Sequence, residues 1–216
     1  ALLMTRVKIC GIMNSDDLAL ALQAGADAVG FVVEIEDSRH CISAEEAADL
    51  IHKVPVYSKS VAVIHPCDLD DALRLADITR ADVLQLHSSL PPSDVADLKS
   101  RTGSKLVVAV AADNGGLQAE RYETVADAIL LDSMVEGRLG GTGRVHDWDK
   151  SASIVRSLQV PVILAGGLDP ENVLQAIERV RPYAVDVSSG TETAGRKDPF
   201  KVRAFVQEVR RCPATQ

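Results

Sequence analysis

Short runs of β-branched and aliphatic residues alternate with Ala-, Leu- and Glu-rich amphipathic stretches along the chain, about eight times over, with no linker or low-complexity break. The runs are VKICGI (Val7–Ile12), AVGFVVE (Ala28–Glu34), SVAVIH (Ser60–His65), VLQLH (Val83–His87), KLVVAVA (Lys105–Ala111), DAILLDS (Asp127–Ser133), PVILAGG (Pro161–Gly167) and AVDVSSG (Ala184–Gly190). Each is followed by a helix candidate. The runs are continuously apolar rather than alternating, the pattern of strands covered on both faces in a parallel sheet flanked by helices. Eight such units in one chain predict an α/β fold, a closed (β/α)8 TIM barrel, with residues 1–216 forming a single domain.

Local signals support these boundaries. Asn14-Ser15-Asp16-Asp17 precedes LALALQA, Ser43 and Glu46 have capping-box spacing, Asp169-Pro170-Glu171 places a proline in a first helical turn, and Gly25 follows the first helix. The fifth helix, LQAERYETV (Leu117–Val125), carries a thin apolar stripe and is expected to be short. Met134 to Val145 contains Gly137, Gly140, Gly141 and Gly143, the composition of a mobile Gly-rich flap.

Composition narrows the function. With 46% hydrophobic and 25% charged residues the proportions are globular, and a formal net charge of −8 argues against general nucleic-acid or anionic-membrane surfaces while leaving room for a local anion pocket. No run approaches the roughly 20 apolar residues of a membrane span. Ala1 to Met4 is too short for a signal core, so a cytoplasmic protein is expected. Cys10, Cys41, Cys67 and Cys212 are widely spaced, which weakens both a zinc site and a disulfide framework. Reduced thiols and no metal are expected.

Barrels of this kind place their chemistry at the C-terminal ends of strands. Those ends carry Cys10, His87, Asp132 with Ser133, Gly166 with Gly167, and Asp186 with Ser188, Ser189 and Gly190. AGGLDPENV puts two residues without side chains before a helix, where backbone N–H groups can approach phosphate oxygens, and VDVSSG adds hydroxyls and a further glycine after the next strand. Together they match the phosphate site that such barrels often build after strands seven and eight. Asp132 either caps the following segment or faces the mouth. Cys10 either packs as a small hydrophobe or reacts. Lys8, two residues earlier on the same strand face, either favours a thiolate or points into the barrel toward a buried acid.

VKICGI, then N-x-x-D-x-x-x-A, G-A-D-A-V-G-F, VLQLH, ILLDS, GGTG, DW, ILAGGLDPENV and VDVSSG with a late KD together closely resemble phosphoribosylanthranilate isomerase, over nearly the whole chain. The resemblance implies an Amadori rearrangement in tryptophan biosynthesis without a cofactor: N-(5′-phosphoribosyl)anthranilate becomes 1-(2-carboxyphenylamino)-1-deoxyribulose 5-phosphate. By position it implies Asp132 as the general acid that opens the furanose ring and Cys10 as the base that removes the C2′ proton. Gly166, Gly167, Ser188, Ser189 and Gly190 would anchor the phosphate. Asp186 would orient a ribose hydroxyl or else bond to nearby backbone, and His87 would stand near the mouth without a proton-transfer role.

The chain departs from the family pattern after its second strand, where EIEDSRHCIS replaces the usual Ser-Pro-Arg. Arg39 is the expected partner of the anthranilate carboxylate because its charge persists at every relevant pH, although alignment on Ser38 and Ile42 places His40 there instead. Glu34, Glu36 and Asp37 would weaken binding of an anion unless they point outward. A related aminoaldose isomerase of histidine biosynthesis would use two aspartates, and a non-catalytic phosphosugar-binding barrel would not need both Cys10 and Asp132. The expected partner is thus a small phosphorylated substrate, the protein being a monomer or a homodimer.

Overall fold

Every one of the eight apolar runs contains a parallel strand. The computed structural model describes residues 4–87, 89–111, 115–132 and 147–211. Its strands are β1 (Arg6–Ile9), β2 (Ala28–Val33), a two-residue β3 (Cys41–Ile42), β4 (Lys59–Ile64), β5 (Val83–Leu86), β6 (Lys105–Ala111), β7 (Ala128–Asp132), β8 (Val162–Leu164) and β9 (Ala184–Val187). β1 pairs with both β2 and β9, so the ring β1-β2-β4-β5-β6-β7-β8-β9 closes on itself and β3 rides on the edge of β2. Helices α1 (Ser15–Gln23), α2 (Ala44–Ile51), α3 (Leu69–Thr79), α4 (Pro92–Arg101), α5 (Gly115–Tyr122), α6 (Trp148–Ser157), α7 (Val173–Val180) and α8 (Pro199–Arg211) follow the barrel strands in turn. This is a TIM barrel.

Alternation along each strand sorts the side chains. Val7, Ile9, Val29, Phe31 and Val33 join the main core between sheet and helices, whereas Lys8, Cys10, Ala28, Gly30 and Val32 face inward. Apolar residues inside the ring form two smaller clusters, one around Val107, Ala109, Leu130 and Ile163, the other around Cys10, Val32, Val61 and Val63. Burial of Lys8, Gln85 and Asp186 adds a polar layer within the ring.

The sequence Ala-Asp at the entrances of β2, β5 and β7 locks neighbouring strands together. Asp27 accepts from the Val7 amide at 2.7 Å, Asp82 from the Ser60 amide at 2.9 Å and Asp127 from the Leu106 amide at 2.9 Å. Each carboxylate thereby holds the strand preceding its own at the rim remote from the strand C-termini, the face of such a barrel that serves stability.

Helix starts follow the sequence signals with one exception. Asn14 caps α1 by accepting from the Asp17 amide, and Ser43 and Glu46 form the reciprocal capping box of α2. Gly25 takes a φ of 90° just beyond α1, a conformation suited to glycine. Pro170, expected in a first helical turn, instead sits in a turn before α7, which starts at Val173. The Asp169 side chain accepts from the Glu171 and Asn172 amides, so it closes a local turn rather than capping the helix. The fifth helix is short, as its thin stripe predicts. The Gly-rich connection from Met134 to Val145 and Ser133 lie outside the described residues.

Candidate active site

The strand C-termini surround a cavity of about 510 Å³, a size suited to a small organic ligand. Cys10, Arg39, His40, His87, Asp132, Gly166, Gly167, Asp186, Ser188 and Ser189 all line it. Gly190 lies behind this surface: a Cβ on it would run into the Leu168 carbonyl oxygen and stand 3.1 Å from Asp169 Cα. The loops after β8 and β9 can approach so closely only because position 190 has no side chain.

Cys10 continues the β1 ladder by donating its amide to the Val187 carbonyl at 2.8 Å, and it is 8% exposed. Gly30, next door on β2, makes the room it occupies. A Cβ at position 30 would come within 2.7 Å of the Cys10 sulfur and 2.9 Å of Lys8 Cε. A glycine inside an apolar strand is the sequence signal for such close approach. Burial pushes the thiol above its usual range, the neighbouring Lys8 ammonium opposes that rise, and Asp186 adds to it.

Lys8 points into the barrel toward an acid. Its Nζ donates to Asp186 Oδ2 at 2.8 Å, and both side chains are nearly sealed from solvent. Burial pulls the ammonium down, yet Asp186 and Cys10 more than compensate and hold it above its ordinary value. The ion pair joins adjacent strands through the Lys8–Asp186 register of β1 and β9.

Across the ring on β5, Gln85 and His87 share a face, with Gln85 Nε2 and His87 Nε2 2.8 Å apart. Burial, then the Lys8 and His65 charges, pushes His87 down to about 4, so the imidazole is neutral near pH 7. A neutral ring whose Nε2 accepts from the Gln85 amide carries its hydrogen on Nδ1. His87 Nδ1, Gln85 Oε1 and Asp186 Oδ1 are buried with no hydrogen-bond partner among the described residues, and all three residues line the cavity. They offer one donor and two acceptors to a hydroxyl-bearing ligand. Gln85 was not singled out in the sequence; its only signal is a polar residue inside the apolar run VLQLH.

Asp132 ends β7 in register with Ala111 of β6 and is partly exposed at the mouth. It stands three strands from β1 in the ring of eight, nearly across the opening from Cys10. Gly166 and Gly167 adopt φ values of 90° and 65°, while Ser189–Thr191 form a single 3-10 turn after β9. Six residues separate Gly166 from α7, so the glycines are not at the helix N-terminus that the sequence pattern predicts. The two backbone turns themselves form that side of the cavity.

Beyond β2, Glu34 turns away to Arg74 at 2.7 Å, while Asp37 remains on the cavity lining. Arg39 and His40 both reach Glu192, which opens a small antiparallel hairpin of β10 (Glu192–Thr193) and β11 (Arg196–Lys197). The His40 Nε2 to Glu192 Oε1 distance is 2.8 Å, and Lys197 Nζ donates to the same oxygen at 2.9 Å. Burial raises the Glu192 carboxyl, but bonds from His40 and Lys197 outweigh it and bring it down to about 2. Glu192 was also missed in the sequence, because its partners lie far away along the chain.

Among the described residues no group of three or more His, Cys, Asp and Glu side chains is placed to hold a metal ion, and no helix is long and apolar enough to cross a membrane. A thiol and a carboxyl on the lining of one cavity at a barrel mouth, with glycine and serine turns beside them, belong to the class of small-molecule barrel enzymes.

Comparison with known proteins makes the class particular. The family model for N-(5′-phosphoribosyl)anthranilate (PRA) isomerase matches residues 7–208. A curated N-(5′-phosphoribosyl)anthranilate isomerase of Methanothrix thermoacetophila is 54% identical over 209 residues, covering 97% of this chain and 100% of the relative. Phosphoribosyl anthranilate isomerase of Thermotoga maritima superposes with a TM-score of 0.84 at 33% identity, covering 96% of this chain and 99% of that one. A phosphoribosyl anthranilate isomerase solved with reduced 1-(o-carboxyphenylamino)-1-deoxyribulose 5-phosphate has a TM-score of 0.81 at 32% identity, with 96% and 99% coverage. The chain belongs to the N-(5′-phosphoribosyl)anthranilate isomerase family.

Proposed function

We propose that Cys10 is the general base and Asp132 the general acid with which this tryptophan-biosynthetic isomerase rearranges N-(5′-phosphoribosyl)anthranilate to 1-(2-carboxyphenylamino)-1-deoxyribulose 5-phosphate. The observation that carries the assignment is the single cavity of about 510 Å³ lined by both groups, by Arg39 and by the two glycine and serine turns. A substrate with a phosphate at one end and a carboxylate at the other spans that cavity with its ribose between acid and base.

Asp132 donates its proton to the furanose ring oxygen as the C1′–O bond breaks, and the anilino nitrogen lone pair forms the C=N bond of the Schiff base. The Cys10 thiolate then removes the C2′ proton, and the C–H electron pair becomes the enolamine double bond as the nitrogen regains its lone pair. Tautomerisation moves the enol proton to C1′ and yields the ketose. Cys10 then carries the proton lost from C2′ and Asp132 is a carboxylate; exchange with water at the open mouth restores both. Lys8 stabilises the thiolate when it forms, against the burial that disfavours it.

Gly166, Gly167, Ser188 and Ser189 offer amides and hydroxyls to the phosphate, with Gly190 keeping the two turns together. Arg39 takes the anthranilate carboxylate. Both residues bond Glu192, but Arg39 does so through Nη2 alone and is 55% exposed, whereas the His40 side chain is 11% exposed and so is the poorer clamp. Asp186, Gln85 and His87 face the ribose hydroxyls.

Purified protein mixed with freshly generated substrate should quench its anthranilate-type fluorescence. Cys10→Ser and Asp132→Asn should each abolish turnover while a product analogue still binds. Near-normal rates in either variant would overturn the assignment.

A further inference from the structure

We infer that Glu192 is a positioning residue that sets the preference of the site for a carboxylate-bearing aromatic ring, by pinning Arg39 at the cavity rim. The inference rests on Arg39 being the carboxylate clamp.

Glu192 is 7% exposed and lies at a junction of three segments. Its Oε2 accepts from Arg39 Nη2, and its Oε1 meets His40 Nε2 and Lys197 Nζ. Because a carboxylate only accepts, His40 must carry its hydrogen on Nε2 there. Lys197 also donates to the Ser188 carbonyl at 3.0 Å, and Lys201 donates to the Glu192 carbonyl at 2.7 Å. One carboxylate thus fastens the loop that bears Arg39 to the turn that bears Ser188.

The Arg39 side chain needs such an anchor. It is 55% exposed, on a loop, and an arginine so placed loses much rotamer freedom on binding a ligand. Held by Nη2, the planar guanidinium keeps Nε and Nη1 free of hydrogen bonds among the described residues. The turn Ala194-Gly195 backs it: a Cβ on Gly195 would stand 3.9 Å from Nη1. In charge, Arg39 and Lys197 bring two positive groups against Glu192, so the carboxylate does not by itself cancel the cluster. Of the nearby acids, Asp37 lines the cavity and Glu34 is engaged by Arg74. The ordering is thus established before the ligand arrives, which is the physical advantage of preorganisation.

The test compares two stable probes: the reduced product, which carries the aryl carboxylate, and its phenylamino counterpart, which lacks it. Wild-type protein should prefer the first. Arg39→Ala should erase that preference, and Glu192→Gln, which keeps the volume and removes the charge, should cut it about tenfold, the scale of one charge-assisted hydrogen bond. Affinity for the phenylamino probe should stay within about twofold. Arg39→Ala with Glu192→Gln should be no worse than Arg39→Ala alone, because the glutamate acts through the arginine. Should Glu192→Gln fold poorly with Lys197 left unpaired, Glu192→Gln with Lys197→Met removes both buried charges and should show the same loss. A preference lost in Arg39→Ala but intact in the Glu192 variants overturns the positioning role and leaves the clamp standing. A preference intact in Arg39→Ala overturns the clamp, and the positioning role with it.

Discussion

Replacing Lys8 by methionine removes an ammonium from the barrel interior while keeping most of the side-chain length. Lys8 is 4% exposed and its partner Asp186 8%, with 2.8 Å between Nζ and Oδ2. Asp186 Oδ1 already lacks a partner among the described residues, so the substitution strips the buried carboxylate of its ion pair. Breaking a buried pair from one side costs about 3–5 kcal/mol. At about 2–4 °C per kcal/mol for a chain of this size, the melting temperature should fall by about 6–20 °C. Adding Asp186→Leu leaves no orphaned charge and should recover most of that loss. Thermal melts followed by circular dichroism near pH 7 decide the matter. A single variant melting within about 2 °C of wild type, or a double variant no better than the single, would refute the reasoning. Kinetics give a second readout. Since Lys8 opposes the rise of the Cys10 thiol, its loss should move the rising limb of kcat to higher pH, and an unmoved limb would detach Lys8 from the base.

Two further outcomes are expected. His87 is held down to about 4, whereas an unfolded histidine protonates near 6.5. Between those values the unfolded chain binds more protons, so the folded state loses on the order of 3 kcal/mol as pH falls through the window. Wild-type melting temperature should therefore drop more steeply from pH 6.5 to 4 than that of His87→Gln, and parallel curves would contradict the buried neutral imidazole. Gly190→Ala forces a methyl against the Leu168 carbonyl and should part the two turns proposed to hold the phosphate at an overpacking cost of about 1–3 kcal/mol. That should raise KM about tenfold, together with the inhibition constant for inorganic phosphate; unchanged values would show the turns do not act as one cradle.

Much of the architecture was readable without coordinates, because burial on both faces writes itself into a strand as an unbroken apolar run. The polar residues that end such runs then stand at the mouth by topology alone. Hence Cys10, Asp132, Asp186 and the serine pair could be named from position, and the structure brings them to one cavity. The glycines were legible for a different reason: Gly166 and Gly167 occur as a pair after an apolar run, a turn signal, although their distance from α7 was not.

What remained hidden were partnerships between distant residues. Lys8 and Asp186 are separated by 178 positions and Arg39 and Glu192 by 153, and their meeting depends on closure of the ring and on one strand register. A slip of one residue would send Lys8 outward, so no local pattern can announce the pair. Gly30 and Gly190 are similar. The sequence marks Gly190 as a turn glycine and Gly30 as a glycine inside an apolar run, but only the Cys10 sulfur pressed against Gly30 and the Leu168 carbonyl against Gly190 show what a side chain there would displace. Sequence by itself determined which elements form, in what order, and which polar groups reach the mouth, because periodicity and turn chemistry are local. Tertiary structure alone decided which charges neutralise one another, which group is left to meet a ligand, and how the thiol is held between burial and a cation, because those energies depend on distance through space.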